Sequence, residues 1–252
     1  MNDPLLDRLA APTGATTDLT DRVVDGWLRV PGPLGDVLVV VGAAGVRYLR
    51  EAARGEDAFT REYRDRFHRP VVPRTGRAPR GLGPALRGSR DLPAIDLSGA
   101  TAFEREVLAV TARIPAGEVR PYGWVAREAG RPRAVRAVGT VLARNPVPLL
   151  VPCHRVVRSD GHLGQYLLGS AAKATLLRGE DADVDTLDAL ADRGVVLLGS
   201  DTTGIVCLPS CRHARRITDA HRRGFRSAAA ALAAGYRGCR DCRPVADGEE
   251  VA

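Results

Sequence analysis

Apolar residues change their spacing twice along this chain. Trp27-Leu28-Arg29-Val30, Val37 to Val41 and Val46-Arg47-Tyr48-Leu49 are short, β-branched and aromatic runs separated by Gly32-Pro33 and Gly42-Ala43-Ala44-Gly45. Such runs punctuated by turn residues predict a β-meander. Asp57 to Arg66 reads as a helix, and the Pro-, Gly- and Arg-rich stretch Arg69 to Asp91 as a connector. From Ser98 the period becomes helical. Thr101 and Glu104 have capping-box spacing, and Phe103, Val107, Val110 and Ile114 follow at helical intervals. Pro115-Ala116-Gly117 stops that helix. Tyr122 to Ala129 and Ala134 to Ala143 are two further short helices around Gly130-Arg131-Pro132, which reads as helix-turn-helix. Glu180 to Asp192 is acidic and predicts a linker with a short helix. A last unit runs from about Arg193 to Pro244.

Charge adds a partner class to this outline. The 252 residues carry a formal charge of +7, and Lys173 is the only lysine among 37 basic residues. Arginine is planar and permanently charged, which suits phosphate. From Arg113 to Arg158 nine arginines face only Glu118 and Glu128. This local surplus points to nucleic acid, with a solvated basic surface as the plainer reading. The start Met1-Asn2-Asp3-Pro4 is not a signal peptide. The apolar stretch Val37 to Val46 is broken by glycines and far short of a membrane span. A cytoplasmic protein with no membrane contact is expected, and its cysteines should be reduced.

Five cysteines divide unevenly. Cys153 stands alone in Val151-Pro152-Cys153-His154-Arg155-Val156-Val157. Only a thiolate attacks, and His154 together with basic surroundings would favour the anion. A buried structural cysteine is the competing reading. The other four form Cys207-x3-Cys211 and Cys239-x2-Cys242 with 27 residues between the pairs. Four thiolates at this spacing suit one tetrahedral zinc, with an iron–sulfur cluster as the alternative.

Longer strings narrow these choices. Ala134-Val135-Arg136-Ala137-Val138-Gly139 and Asn145-Pro146-Val147-Pro148-Leu149-Leu150-Val151-Pro152-Cys153-His154-Arg155 resemble the active-site signature of the O6-alkylguanine-DNA alkyltransferases. Pro115-Ala116-Gly117-Glu118-Val119 with Tyr122-Gly123, and Gly164-Gln165-Tyr166 with Lys173 and Leu176-Leu177, fit the same family. The resemblance is close over roughly Ser98 to Glu180. It implies an α+β chain: a small RNase H-like β-meander subdomain (1–97), a winged helix-turn-helix alkyltransferase domain (98–185) and a small zinc-binding α/β domain (192–252).

That resemblance also implies roles. Cys153 accepts the alkyl group, and His154, oriented by Glu180, deprotonates it through a water. Tyr122 donates a proton to the departing guanine. Asn145 braces the turn before the active-site strand. Arg136 takes the place of the extruded base, and small Ala134, Ala137 and Gly139 permit close approach to the minor groove, with Arg155 on the same DNA-binding surface. The expected partner is alkylated double-stranded DNA, the expected protein a monomer acting once per molecule, and the substrate O6-methylguanine, with O4-methylthymine as a second.

Thr202-Thr203-Gly204-Ile205-Val206-Cys207-Leu208-Pro209-Ser210-Cys211 and Ala234-Gly235-Tyr236-Arg237-Gly238-Cys239-Arg240-Asp241-Cys242-Arg243-Pro244 look like the metal-binding domain of the Ada family. This implies one Zn2+ on Cys207, Cys211, Cys239 and Cys242, no organic cofactor, and a possible second methyl acceptor at Cys207, fed by DNA phosphotriesters. Leu208 stands where arginine is common. The competing class is a non-catalytic alkyl-lesion binder or a methylation-responsive transcriptional regulator. A second departure is Leu167-Leu168 ahead of Gly169, where many members of the first family carry two glycines. Bulk there narrows the expected base pocket. Benzylated guanine should therefore react more slowly than methylated guanine in duplex DNA, and equal single-turnover rates would refute this.

Overall fold

A computed structural model describes residues 24–89 and 91–245. The expectation drawn from Met1 to Pro4 lies outside the described residues. Strands β1 (Asp25–Gly32), β2 (Gly35–Gly42) and β3 (Gly45–Glu51) form the antiparallel meander. The turn between β2 and β3 requires glycine. Gly45 has φ +125°, and a Cβ there would lie 2.2 Å from the Ala94 carbonyl oxygen.

The apolar run Val37 to Val40 does not alternate because both faces of β2 are buried. Leu38 and Val40 pack with Trp27, Tyr48, Phe59 and Tyr63 under helix α1 (Glu56–Phe67). Val37 and Val39 face the opposite way, into the core of the following unit. The connector expected over 69–91 contains two elements instead. Strand β4 (Val71–Pro73) pairs parallel to β1 at the sheet edge, giving the order β3-β2-β1-β4. Helix α2 (Leu82–Leu86) buries Leu82, Ala85 and Leu86. Proline within both elements hid them, although an edge strand tolerates it.

Helix α3 (Ala102–Ala112) opens on the capping box. Thr101 Oγ1 accepts from Glu104 N–H at 3.3 Å, and Glu104 Oε2 accepts from Thr101 N–H at 2.8 Å. Two-residue strands β5 (Arg120–Pro121) and β6 (Val156–Val157) pair in parallel, Arg120 opposite Val156. Between them lie α4 (Tyr122–Glu128) and α5 (Val135–Ala143), the expected helix pair. Helix α5 buries Val138, Val141 and Leu142 and turns Val135, Arg136 and Ala137 to solvent. A 3-10 turn at Cys153–Arg155 leads into β6, and α6 (Ser170–Gly179) packs behind it.

The acidic stretch is less of a linker than its charge suggested. Asp183 caps α7 (Val184–Asp192) by accepting from Thr186 N–H at 3.0 Å. Val184 and Leu187 pack against Val119, Val157 and Leu177, while Asp181, Asp183, Asp185 and Asp192 face water. The last unit is a second sheet, in the order β10-β8-β7-β9, of β7 (Leu197–Ser200), β8 (Ile205–Cys207), β9 (Arg222–Phe225) and β10 (Arg237–Gly238), with helix α8 (Ala228–Ala233). One apolar core runs from Val37 in the first sheet through Val125 and Leu150 to Leu198 and Cys242. No described helix is long and apolar enough to cross a membrane.

Candidate active site and metal centre

Cys153 follows a loop that one side chain holds together. Asn145, fully buried at the end of α5, accepts from Val147 N–H through Oδ1 at 3.0 Å. Its Nδ2 donates to the Val151 carbonyl at 2.8 Å and to Cys153 Sγ at 3.2 Å. The same amide therefore spans the loop and touches the sulfur. Inside the loop Leu149 has φ +73°, a conformation that costs a non-glycine residue about 1 kcal/mol or more. Burial pushes the Cys153 thiol up; the Asn145 hydrogen bond and the positive charge of Lys173 pull the other way.

His154 is buried beside it, with Nε2 3.0 Å from Glu180 Oε1. Burial opposes ionisation of Glu180, but the contacts with His154 and Arg155 outweigh it and hold the carboxyl at about 2. An ionised carboxylate only accepts, so the imidazole proton sits on Nε2. His154 Nδ1 is then a lone pair, buried and without a hydrogen-bond partner among the described residues. Burial also lowers the imidazole, against the pull of Glu180, so it is neutral and basic at Nδ1.

Arg155 differs from its expected place on the DNA-binding surface. It is 5% exposed, donates from Nε and Nη2 to the two Glu180 oxygens at 2.8 and 2.6 Å, and from Nη1 to the Ile114 carbonyl at 2.6 Å. A guanidinium with its donors so used cannot reach phosphate. Glu180 Oε2 also accepts from Gly117 N–H at 3.3 Å. Tyr122 is half-buried at the start of α4; burial, and then the nearby Cys153 charge, raise its phenol, so it stays protonated. Arg136 and Ala137 are exposed on α5, with Ala134 and Gly139 half-exposed on the same element.

Two residues of this site carried little sequence signal as functional groups. Lys173 is fully buried and donates from Nζ to the carbonyls of Val156 and Leu163; burial lowers its ammonium to about 8, and Cys153 raises it. Its signal is its rarity, the one lysine in an arginine-rich chain. Arg50, on β3, is 2% exposed. Its Nη1 donates to the carbonyls of Leu49, Asn145 and Pro146 at 2.7, 3.2 and 3.4 Å, and the guanidinium stacks 4.2 Å above the Tyr48 ring. The first sheet thus grips the backbone of the loop that carries Cys153.

The four remaining cysteines are buried, with their sulfur atoms within 4.8 Å of one another. Contacts with the Cys211 and Cys242 sulfurs, then burial, push Cys207 far up. Four sulfurs this close cannot all be thiolates without a cation, so the donor set fits tetrahedral zinc. Leu208 N–H points at Cys242 Sγ at 3.4 Å, an outer contact typical of a metal-bound thiolate. Cys207 and Cys239 also line an open cavity of about 680 Å3 with His213, His221, Arg237 and Arg240.

Comparison with known proteins matches this division. The family described as 6-O-methylguanine DNA methyltransferase, DNA binding domain, matches residues 102–182, and the metal binding domain of Ada matches 184–245. The chain is similar to the alkyltransferase family over the first stretch and to the Ada-type metal-binding domain over the second. Escherichia coli bifunctional transcriptional activator/DNA repair enzyme Ada is 45% identical over 99 residues, 38% of this chain and 28% of that protein. A methylated-DNA–protein-cysteine methyltransferase of Methanothermobacter thermautotrophicus is 42% identical over 95 residues, 38% of this chain and 53% of that one. The chain thus spans about a quarter to a half of these two relatives. The solved structure of Mycobacterium tuberculosis OGT in complex with DNA is 29% identical, covers 66% of this chain and 99% of that chain, and has a TM-score of 0.50.

The unit matched by the Ada metal-binding model is seated on residues 102–182 by polar contacts at a few points. Ser210 Oγ meets Val119 N–H at 2.8 Å and the Val119 carbonyl at 3.2 Å. Trp124 Nε1 donates to the Cys242 carbonyl at 2.8 Å, and Arg212 N–H to Glu118 Oε1 at 3.2 Å. Arg243 pairs with Glu128.

Two tests follow from the buried charges. Arg50→Ala removes its bonds to the Leu49, Asn145 and Pro146 carbonyls and its ion pair with Glu62, and should lower stability by roughly 2–4 kcal/mol in urea unfolding; an unchanged midpoint would refute the grip. Glu180 favours folding above its ordinary 4.5, and that contribution is lost as pH falls toward about 2. The difference corresponds to roughly 3 kcal/mol. Glu180→Gln should flatten the fall in stability between these pH values, and an unaltered acid profile would refute the assignment.

Proposed function

We propose that this protein repairs alkylated DNA by moving the methyl group of O6-methylguanine onto Cys153 once per molecule. O4-methylthymine in duplex DNA is a second substrate of the same site. The observation that carries this reading is the pairing of Asn145-held Cys153 with His154, whose Nε2 is fixed on Glu180 and whose Nδ1 is free. The thiol proton passes through a water to Nδ1. Sulfur then forms a bond to the methyl carbon as the bond from carbon to O6 breaks, and Tyr122 gives its proton to the departing guanine. The electron pair of the broken bond leaves with the base, so charge and protons balance. Lys173 stabilises the transient thiolate. A thioether has no leaving group that water displaces readily, so the reaction ends there.

The reacting methyl lies inside a base pair, and the nucleotide must leave the stack. Exposed Arg136 supports an arginine that fills the gap, with Ala134, Ala137 and Gly139 allowing close approach along the minor groove. We assign 1–97 to support of the loop, 98–185 to DNA binding and transfer, and 192–252 to zinc. Cys207 is the ligand proposed to take a methyl from a phosphotriester. Its place on the cavity wall supports that, since Cys211 and Cys242 do not line the cavity. A neutral triester is tolerated beside a zinc tetrathiolate of net charge −2, whereas a diester is repelled.

Incubation with O6-methylguanine duplex, then with phosphotriester DNA, and peptide mass analysis tests both steps. A single added CH2 on Cys153 in the first case and on Cys207 in the second is expected. C153A should bind the lesion and gain nothing from it. Binding without any adduct on wild-type protein would identify a lesion binder instead.

A further inference from the structure

We propose that the zinc domain is a working part of the alkyl-transfer site, with Arg215 as the positioning residue that connects them. This rests on the reading of Cys153 as the alkyl acceptor. Arg215 lies four residues beyond the ligand Cys211, and its N–H donates to the Cys211 carbonyl at 3.2 Å. Its guanidinium then reaches across the seam. Nη2 donates to the Gly117 carbonyl at 3.2 Å, Nη1 to the Asp181 carbonyl at 3.4 Å, and Nε to its own domain at Ser210 O, 3.2 Å. Gly117 and Asp181 are the two peptides that flank the Glu180 carboxylate. Gly117 N–H donates to that carboxylate, and Asp181 follows it in the chain.

The geometry at Gly117 shows how tightly these pieces meet. Gly117 has φ +73°, and a Cβ there would stand 2.5 Å from the Glu180 carbonyl oxygen and 3.4 Å from Arg215 Nη2. Asp181 itself has φ +62°, a left-handed conformation that a non-glycine residue holds only when its surroundings fix it. A planar fork of donors suits two carbonyls at once, and it is better preorganised than a flexible ammonium. From the metal ligand to the imidazole the sequence of contacts is Cys211, Arg215, Gly117, Glu180, His154. The metal fixes the 207–211 segment, that segment aims Arg215, and Arg215 sets the strip on which Glu180 chooses the His154 tautomer.

The test uses full-length, zinc-loaded protein labelled with nitrogen-15 at histidine. In the wild type His154 should show one tautomer, with the proton on Nε2. Arg215 is exposed, so Arg215→Ala should fold and keep one zinc per chain, checked by metal analysis. In that variant the His154 nitrogens should report mixed tautomers. Single-turnover methyl transfer should slow by roughly tenfold, while affinity for the lesion duplex is unchanged. Arg215→Lys should recover part of both signals, since an ammonium reaches one of the two carbonyls. Removing zinc from wild-type protein with a chelator should mix the tautomers in the same way. A wild-type imidazole spectrum and rate in Arg215→Ala would overturn the proposal. If wild-type protein transfers no methyl group, the repair reading fails, and the imidazole signals still decide the coupling by themselves.

Discussion

The Glu180 carboxylate is the point on which this structure depends. It receives His154, both nitrogens of the Arg155 fork and the Gly117 peptide. A carboxylate so buried is costly unless its lone pairs are filled, and here each oxygen accepts two of these contacts. Two consequences follow from this one group. It fixes the proton of His154 on the far nitrogen, which leaves the near one basic. It also ties the end of α6 to the strip 114–120, against which the zinc domain sits. A neutral side chain in its place could fill the space but could not hold Arg155 and choose the tautomer together.

The continuous core explains why three sequence units act as one body. Strand β2 has two apolar faces because α1 covers one and the unit beginning at α3 covers the other. The loop that carries Cys153 is then held from both directions. Arg50 grips its backbone from the first sheet, and Asn145 spans it from within. The zinc domain meets the neighbouring strip 117–119 and Asp181 through Ser210, Arg212 and Arg215. A loop that contains a left-handed Leu149 needs such over-determination, because the strain would otherwise relax and move the sulfur.

Local signals were legible where local chemistry decided the structure. The capping box at Thr101 and Glu104, the helix pair around Gly130 and the meander of the first sheet all lie close to their expected positions. Elements decided by tertiary packing were not legible. Proline hid β4 and α2, whereas the short helix expected in the acidic stretch is present as α7, with Val184, Leu187, Leu190 and Ala191 as its buried face. The same distinction separates the site residues. Cys153, His154 and Glu180 belong to a recognisable string, and the structure brings them together. Arg155 belongs to the same string yet faces inward, because a charge surplus does not say which arginines find carboxylates. Arg50 and Arg215 act across 95 and 98 residues of chain, on Asn145 and Gly117, and no periodicity can report a contact of that range.

The fate of the arginines sharpens the charge argument. Between Arg113 and Arg158, Arg120 and Arg155 are buried on Glu118 and Glu180, Arg127 faces Glu128, and Arg158 pairs with Asp160. Those four neutralise the chain's own acids. Arg113, Arg131, Arg133, Arg136 and Arg144 are exposed, and the last four lie on or beside α5. The basic surface is therefore smaller than composition suggests and lies on the helix proposed to enter DNA. Fewer free charges on one face give orientation as well as attraction, because a diffuse basic coat would bind phosphate at any angle. At rest the thiol is buried, and that burial raises it. In the proposed reaction, activation belongs to the docked complex, where the flipped base draws the thiol proton through the bridging water to His154.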